Sequence, residues 1–185
     1  MVDIAGGKIK TTVYVGLSVD GFVARPDHTL DFLDVGPTTS DMGFSDLMAS
    51  VDVLIMGRNT FDFVINAGVD WPYGTLQVVV LTHRPLDLSE ELAPTVSGSA
   101  KQGPALLAEL AASGRTHAYV DGGSVVQQFL ATGLVDELIL TRVPVLIGEG
   151  IPLFAALPHD VRLTHVATEA YENGMVQTTY SIGAK

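Results

Sequence analysis

Ala118-Tyr119-Val120-Asp121-Gly122-Gly123-Ser124-Val125 decides the fold. An apolar, aromatic stretch of strand type runs into two glycines. A segment follows in which Val125, Val126, Phe129 and Leu130 share one helical face. Strand, tight turn and helix, in that order, is the repeating unit of α/β domains. The glycines let the backbone come close to a ligand. A helix beginning there offers free N–H groups and the positive end of its dipole to an anion. The ordinary alternative is a tight strand-to-helix turn with Ser124 as N-cap. A dinucleotide fingerprint of the G-x-G-x-x-G kind, with an acidic residue about 20 positions on, is not present.

Two further strand ends have the same character. Val53-Leu54-Ile55-Met56 is an apolar run that stops at Gly57, and Arg58-Asn59-Thr60 then opens a helical turn over Thr60 to Ile65. Backbone N–H groups, a hydroxyl and a guanidinium suit a diphosphate; a glycine strand stop with a Thr cap and a solvated Arg is the plainer reading. Val79-Val80-Leu81 ends in Thr82-His83-Arg84-Pro85, a trio that suits the terminal phosphate of NADP or an exposed polar turn. Ligands of open α/β sheets bind beyond the carboxyl ends of the strands.

Outward from these ends the pattern predicts strands over Ile9 to Leu17, Gln77 to Leu81 and Glu137 to Val143. It predicts helices over Asp41 to Ala49, capped by Asp41, over Pro104 to Ala112, and over Ser124 to Ala131. Val161 to Tyr171 and Met175 to Ile182 flank Asn173-Gly174, a hairpin signal. The expected fold class is α/β, a mostly parallel central sheet with helices on both faces and a C-terminal antiparallel hairpin, in one domain over 1–185.

Composition narrows the function. With 21 acidic against 10 basic residues the formal charge is −11, a field that repels nucleic acid and anionic membranes. It also repels an anionic cofactor, so any phosphate site must be built from local donors. There is no Cys, which removes disulfides and thiolate chemistry and agrees with a cytoplasmic location. The five His residues show no metal spacing, so no metal is expected. No apolar run is long enough to cross a bilayer and the first ten residues hold no signal-peptide core.

Met56-Gly57-Arg58-Asn59-Thr60-Phe61, Leu81-Thr82-His83-Arg84-Pro85 and Asp121-Gly122-Gly123-Ser124-Val125 resemble, in order, the cofactor segments of the dihydrofolate reductase superfamily. Ser18-Val19-Asp20-Gly21-Phe22-Val23-Ala24, Val135-Asp136-Glu137-Leu138 and Pro144 to Gly150 are similar to the reductase domain of the riboflavin-pathway bifunctional deaminase-reductase and its stand-alone relatives. The resemblance implies a dihydrofolate-reductase-like three-layer fold, NADPH as cofactor, and hydride transfer to a small pterin-, pyrimidine- or flavin-like molecule. It places Gly57, Arg58, Asn59 and Thr60 on the diphosphate and Thr82, His83 and Arg84 around the 2′-phosphate. Gly122, Gly123, Ser124, Val125 and Gln127 fall over the diphosphate and nicotinamide ribose, and backbone near Gly16 and Val23 on the carboxamide. It also implies a homodimer. The zinc-binding residues of the deaminase domain have no counterpart in this sequence.

Reduction also needs a proton donor. Asp31 and Asp46 are the candidates, each against a turn, cap or solvated-face role; Asp20, in an Asp-Gly pair, reads as a turn residue. Trp71 and Tyr73 read as the rings of a mobile lid, and Phe22, Phe32 and Phe44 as pocket walls or core. A different class of function stays open on the same fold, a protein that sequesters a nucleotide or flat ligand without turnover. Consumption of cofactor separates the two.

Overall fold

The computed structural model describes residues 8–37 and 39–183, so the outermost residues of the expected 1–185 unit lie outside it. Among the described residues ten strands and four α-helices follow one another. They are β1 (Lys10–Ser18), β2 (Phe22–Ala24), α1 (Phe44–Ser50), β3 (Val53–Gly57), α2 (Arg58–Asn66), β4 (Gln77–Leu81), β5 (Val96–Ser99), α3 (Gly103–Ala112), β6 (His117–Asp121), α4 (Gly123–Ala131), β7 (Glu137–Val143), β8 (Ile151–Pro152), β9 (Leu163–Ala170) and β10 (Val176–Ile182). Eight strands form one sheet in the order β5-β4-β3-β6-β1-β7-β10-β9; β2 and β8 make a separate two-stranded ribbon. From β5 to β7 all neighbours are parallel, and β10 runs antiparallel to both of its neighbours, β7 and β9.

The central strands are apolar at successive positions because both faces are covered. Val53, Ile55, Val79, Ala118, Val120, Val13 and Leu17 face α3 and α4, where Leu106, Leu107, Val126 and Phe129 meet them. Leu54, Met56, Val78, Val80 and Tyr119 face the other way, onto Leu47 of α1 and Phe61 of α2. The result is a three-layer, dihydrofolate-reductase-like architecture with a mostly parallel sheet and a C-terminal antiparallel hairpin.

Several boundaries differ from the sequence expectation. The helix expected from Asp41 begins at Phe44, because Gly43 adopts φ 79° and ends the preceding turn. The Asp41 carboxylate still receives N–H bonds from Gly43 and Ser45. The turn at Thr60 is a full helix starting at Arg58. At the start of α4 the capping position is Gly122, and no side chain caps it, so Ser124 is not the N-cap. Trp71 and Tyr73 are no lid. Trp71 stacks edge-on against Phe61 at 6.1 Å and Tyr73 at 5.0 Å, and both pack on the core under α1 and α2. Asp20 is more than a turn residue: its carboxylate accepts N–H bonds from Ile147 (3.3 Å) and Gly148 (2.8 Å), tying the loop after β1 to the loop after β7.

Candidate functional site

The carboxyl ends of β1, β3 and β6 open into a cleft of about 490 Å³. Adjacent pairing of β3 and β6, with Met56 opposite Asp121, brings the Gly57 turn and the Gly122 turn together. Gly122 has φ 89°, and a Cβ built on it would lie 2.5 Å from Thr60 Oγ1 and 3.5 Å from the Gly57 nitrogen. Only glycine fits that approach. Helices α2 and α4 both start at this point with no side-chain cap and no acidic residue in the first turn. Two sets of first-turn N–H groups and two positive dipole ends therefore converge on one spot, an arrangement that suits a diphosphate.

Gly16, Val23, Gly57, Arg58, Asn59, Thr60, Gly122, Gly123, Ser124 and Val125, all taken from the sequence, line this cleft. The β2–β8 ribbon lies against it. A Cβ on Gly123 would meet Val23 at 3.2 Å and Ile151 at 3.5 Å. Gln127 is turned away: its amide donates to the Pro152 carbonyl at 2.7 Å. Its neighbour Gln128 lines the cleft instead.

A second hollow, about 610 Å³, continues from the first, with Leu81 and Gln128 common to both walls. Thr82, His83, Ser99 and Lys101 line it, together with the start of α3. Arg84 is not in its wall; its N–H donates to Thr82 Oγ1 at 3.1 Å and holds the turn. Lys101 was missed in the sequence because β5, the strand that delivers it, carries one buried residue, Val96, and reads as loop.

The two catalytic candidates do not reach the cleft. Asp31 is held by Nε and Nη2 of the Arg25 guanidinium, at 2.6 and 3.0 Å, and this pairing keeps its carboxyl below the usual carboxylate range. The local cause is a 3-10 turn, Asp31–Leu33, that buries Phe32 and turns Asp31 outward. Asp46 sits on the exposed side of α1, opposite buried Leu47.

The acid at the floor of the cleft is Asp121, at the end of β6. Burial pushes its carboxyl up to about 6, against the pull of the Gly122 N–H bound to Oδ1 at 2.7 Å. It belongs to no ion pair among the described residues. Alternation along β6 puts it on the face of Tyr119, beside Tyr14 and Phe44, whose rings are 5.8 Å apart. Asp-Gly in a sequence reads as a turn, which is what hid it. Among the described residues no group of His, Cys, Asp or Glu is placed to hold a metal, and no helix is long and apolar enough to cross a membrane.

Residues 10–177 match the model of the RibD C-terminal domain. The uncharacterized protein YwjB of Bacillus subtilis (strain 168) is 31% identical over 163 residues, 88% of this chain and 92% of its own. A crystal structure from Shewanella sp. PV-4, provisionally named for riboflavin biosynthesis, superposes with a TM-score of 0.89 at 34% identity, covering 95% of this chain and all of that one. A dihydrofolate reductase from Enterococcus faecalis, solved in complex with NADP(H) and RAB-propyl, has a TM-score of 0.65 at 18% identity over 97% and 99% of the two chains; it shares the fold.

Proposed function

From the premise that the chain belongs to the RibD C-terminal domain family, within the dihydrofolate-reductase-like superfamily, we propose that it is an NADPH-dependent reductase of a small heteroaromatic substrate. The observation that carries this reading is the continuous trough. It runs from Tyr14 and Asp121, past two uncapped helix starts, to Thr82, His83 and Lys101. Its length and its sequence of apolar, N–H-rich and cationic surfaces fit a dinucleotide with an extra phosphate. The glycine at 122, whose Cβ would fill the cradle, fits it independently.

When bound, NADPH supplies the hydride. The chain's own residues do the rest. First-turn N–H groups from Gly57 to Thr60 and those of Gly123 and Ser124 take the diphosphate. The Arg58 guanidinium, steadied by Asp62 at 2.7 and 2.9 Å, adds charge there. Thr82, His83 and Lys101 surround the 2′-phosphate. Backbone at Gly16 and Val23 orients the nicotinamide. Tyr14, Phe44 and Tyr119 wall the ring of the substrate and exclude water. Asp121, not Asp31 or Asp46, holds the proton: an acid titrating at about 6 keeps a useful protonated fraction near neutrality and releases it readily. That acid in the cleft favours turnover over sequestration.

A homodimer is part of the same reading. Strand β9 is exposed at every residue, with Val166 57% exposed, and it forms one of the two edges of the eight-stranded sheet, opposite β5. Such edges are normally covered, and a second copy supplies the matching strand. The deciding test is a calorimetric titration with NADPH and NADH. Tenfold or greater preference for NADPH is expected; absence of binding by either cofactor sinks the reductase reading.

A further inference from the structure

Strands β2 and β8 are three and two residues long, too short to hold together by their own pairing. Yet Val23, Ala24 and Ile151 of this ribbon wall the cleft. The ribbon is placed by stitches between the loop after β1 and the loop after β7. Those strands pair in parallel as far as Ser18 and Val143, so the two loops leave the sheet side by side. The Val19 N–H donates to the Val145 carbonyl at 2.9 Å, and the Leu153 N–H to the Gly21 carbonyl at 3.0 Å.

The side chain that crosses from one loop to the other is Asp20. Its Oδ1 accepts the Ile147 N–H at 3.3 Å and its Oδ2 the Gly148 N–H at 2.8 Å. Gly148 lies at φ 78°. Two successive N–H groups turned to one side in this way form a nest that takes an anion, and here the anion is a carboxylate of the neighbouring loop. From the nest the contact passes to the cleft in two steps. A Cβ built on Gly150 would stand 3.1 Å from Ile147 Cδ1 and 3.1 Å from Phe22 Cβ, and would collide with the Ala24 carbonyl, so the loop lies flat on β2. Val23, between Phe22 and Ala24, meets the start of α4, where a Cβ built on Gly123 would be 3.2 Å from it. Asp20 itself is exposed and lies outside the cleft wall.

Resting on the reductase reading above, we propose that Asp20 is the positioning residue of the nicotinamide end. Its clasp on the Ile147–Gly148 nest sets the ribbon, and the ribbon sets the Val23 backbone that orients the nicotinamide. The diphosphate cradle and the 2′-phosphate hollow stand on β3, β4, β5 and β6 and form without the clasp. Both carboxylate oxygens are needed. An amide at this position keeps one acceptor and turns an NH2 group against the second N–H.

The test compares NADPH with 2′-phospho-ADP-ribose, which keeps the diphosphate and the 2′-phosphate and lacks the nicotinamide. Both are titrated by calorimetry into the full-length parent, Asp20→Ala and Asp20→Asn. The parent is expected to bind NADPH more tightly than the truncated ligand. Each variant is expected to lose about tenfold in NADPH affinity and to bind 2′-phospho-ADP-ribose within about twofold of the parent. Retained binding of the truncated ligand also shows that the variant is folded. Equal losses on both ligands, the result of a merely structural role, overturn the proposal. So does a parent-like NADPH affinity in either variant, or a parent that binds the two ligands alike. A parent that binds neither ligand overturns the reductase reading itself, and that result is read before any variant is made.

Discussion

Gly122→Ala is the sharpest perturbation of the site. The residue sits at φ 89° and ψ 129°, a conformation that costs an L-residue about 1–3 kcal/mol. Its new Cβ would also stand 2.5 Å from Thr60 Oγ1, and overpacking of this kind costs a further 1–3 kcal/mol or about that. The expected loss is about 2–6 kcal/mol, or roughly 4–24 °C in Tm for a chain of this size. Two partner variants separate the terms. Gly114, with φ 88°, has nothing within 4 Å of its built Cβ, so Gly114→Ala carries the strain alone and leaves NADPH affinity untouched. Adding Thr60→Ala to Gly122→Ala relieves the contact and leaves the strain. Denaturant unfolding measures stability and a fluorescence titration measures NADPH, which Gly122→Ala is expected to weaken more than tenfold. A Gly122→Ala protein within about 0.5 kcal/mol of its parent, or one that binds NADPH unchanged, refutes the idea that these two turns form one cradle.

Other outcomes follow from the same geometry. Lys101→Ala is expected to weaken NADPH by tenfold or more and NADH little, since a charge-assisted bond is worth about 1.5–3 kcal/mol; equal losses for both cofactors in parallel titrations would remove Lys101 from the 2′-phosphate. Asp121, raised from 3.8 to about 6 in the fold, contributes stability that is complete below its unfolded value and lost as pH rises through about 6. Two pH units at this rate are worth on the order of 3 kcal/mol, so urea unfolding of Asp121→Asn should show the parent's decline between pH 4 and 6 flattened. Val166→Lys on the exposed face of β9 is expected to shift the protein from dimer to monomer in light scattering, with the far-ultraviolet spectrum unchanged.

How much of this was legible in the sequence depended on whether local pattern or long-range contact fixed the feature. The strands β3, β4 and β6 were readable because burial on both faces demands apolar runs, and the two glycine turns because a backbone constraint leaves only one residue type. β5 was not, since Ser97, Gly98 and Ser99 give no period and the strand exists by pairing with β4. The ribbon of β2 and β8 joins residues more than a hundred positions apart. Trp71 and Tyr73, in a Pro- and Gly-containing stretch, read as a loop; their burial comes from Phe61, a contact no local pattern encodes. Asp31 looked like a donor because its partner Arg25, six residues earlier, is close enough to pair only after the chain turns between Arg25 and Thr29.

Asp121 shows the same limit and carries the last consequence. Its meaning comes from pairing with Met56 on β3 and from facing Tyr119 and Tyr14 rather than solvent. The residue beside it, Gly122, donates to Asp121 Oδ1 and starts the helix whose N–H groups are assigned to the diphosphate. Placing negative charge there must raise the carboxyl further above about 6. At pH 7 an upward shift of one unit from 6 corresponds to uptake of about 0.4 proton. NADPH binding should therefore take up protons near neutrality, and affinity should fall as pH rises through 6 to 7. Calorimetry in buffers of different ionisation enthalpy reads the uptake directly, and Asp121→Asn separates this source from the cofactor's own phosphate. Uptake that persists in full in the Asn variant would mean that the acid and the diphosphate do not sense one another, and the proton for reduction would have to come from somewhere other than the floor of the cleft.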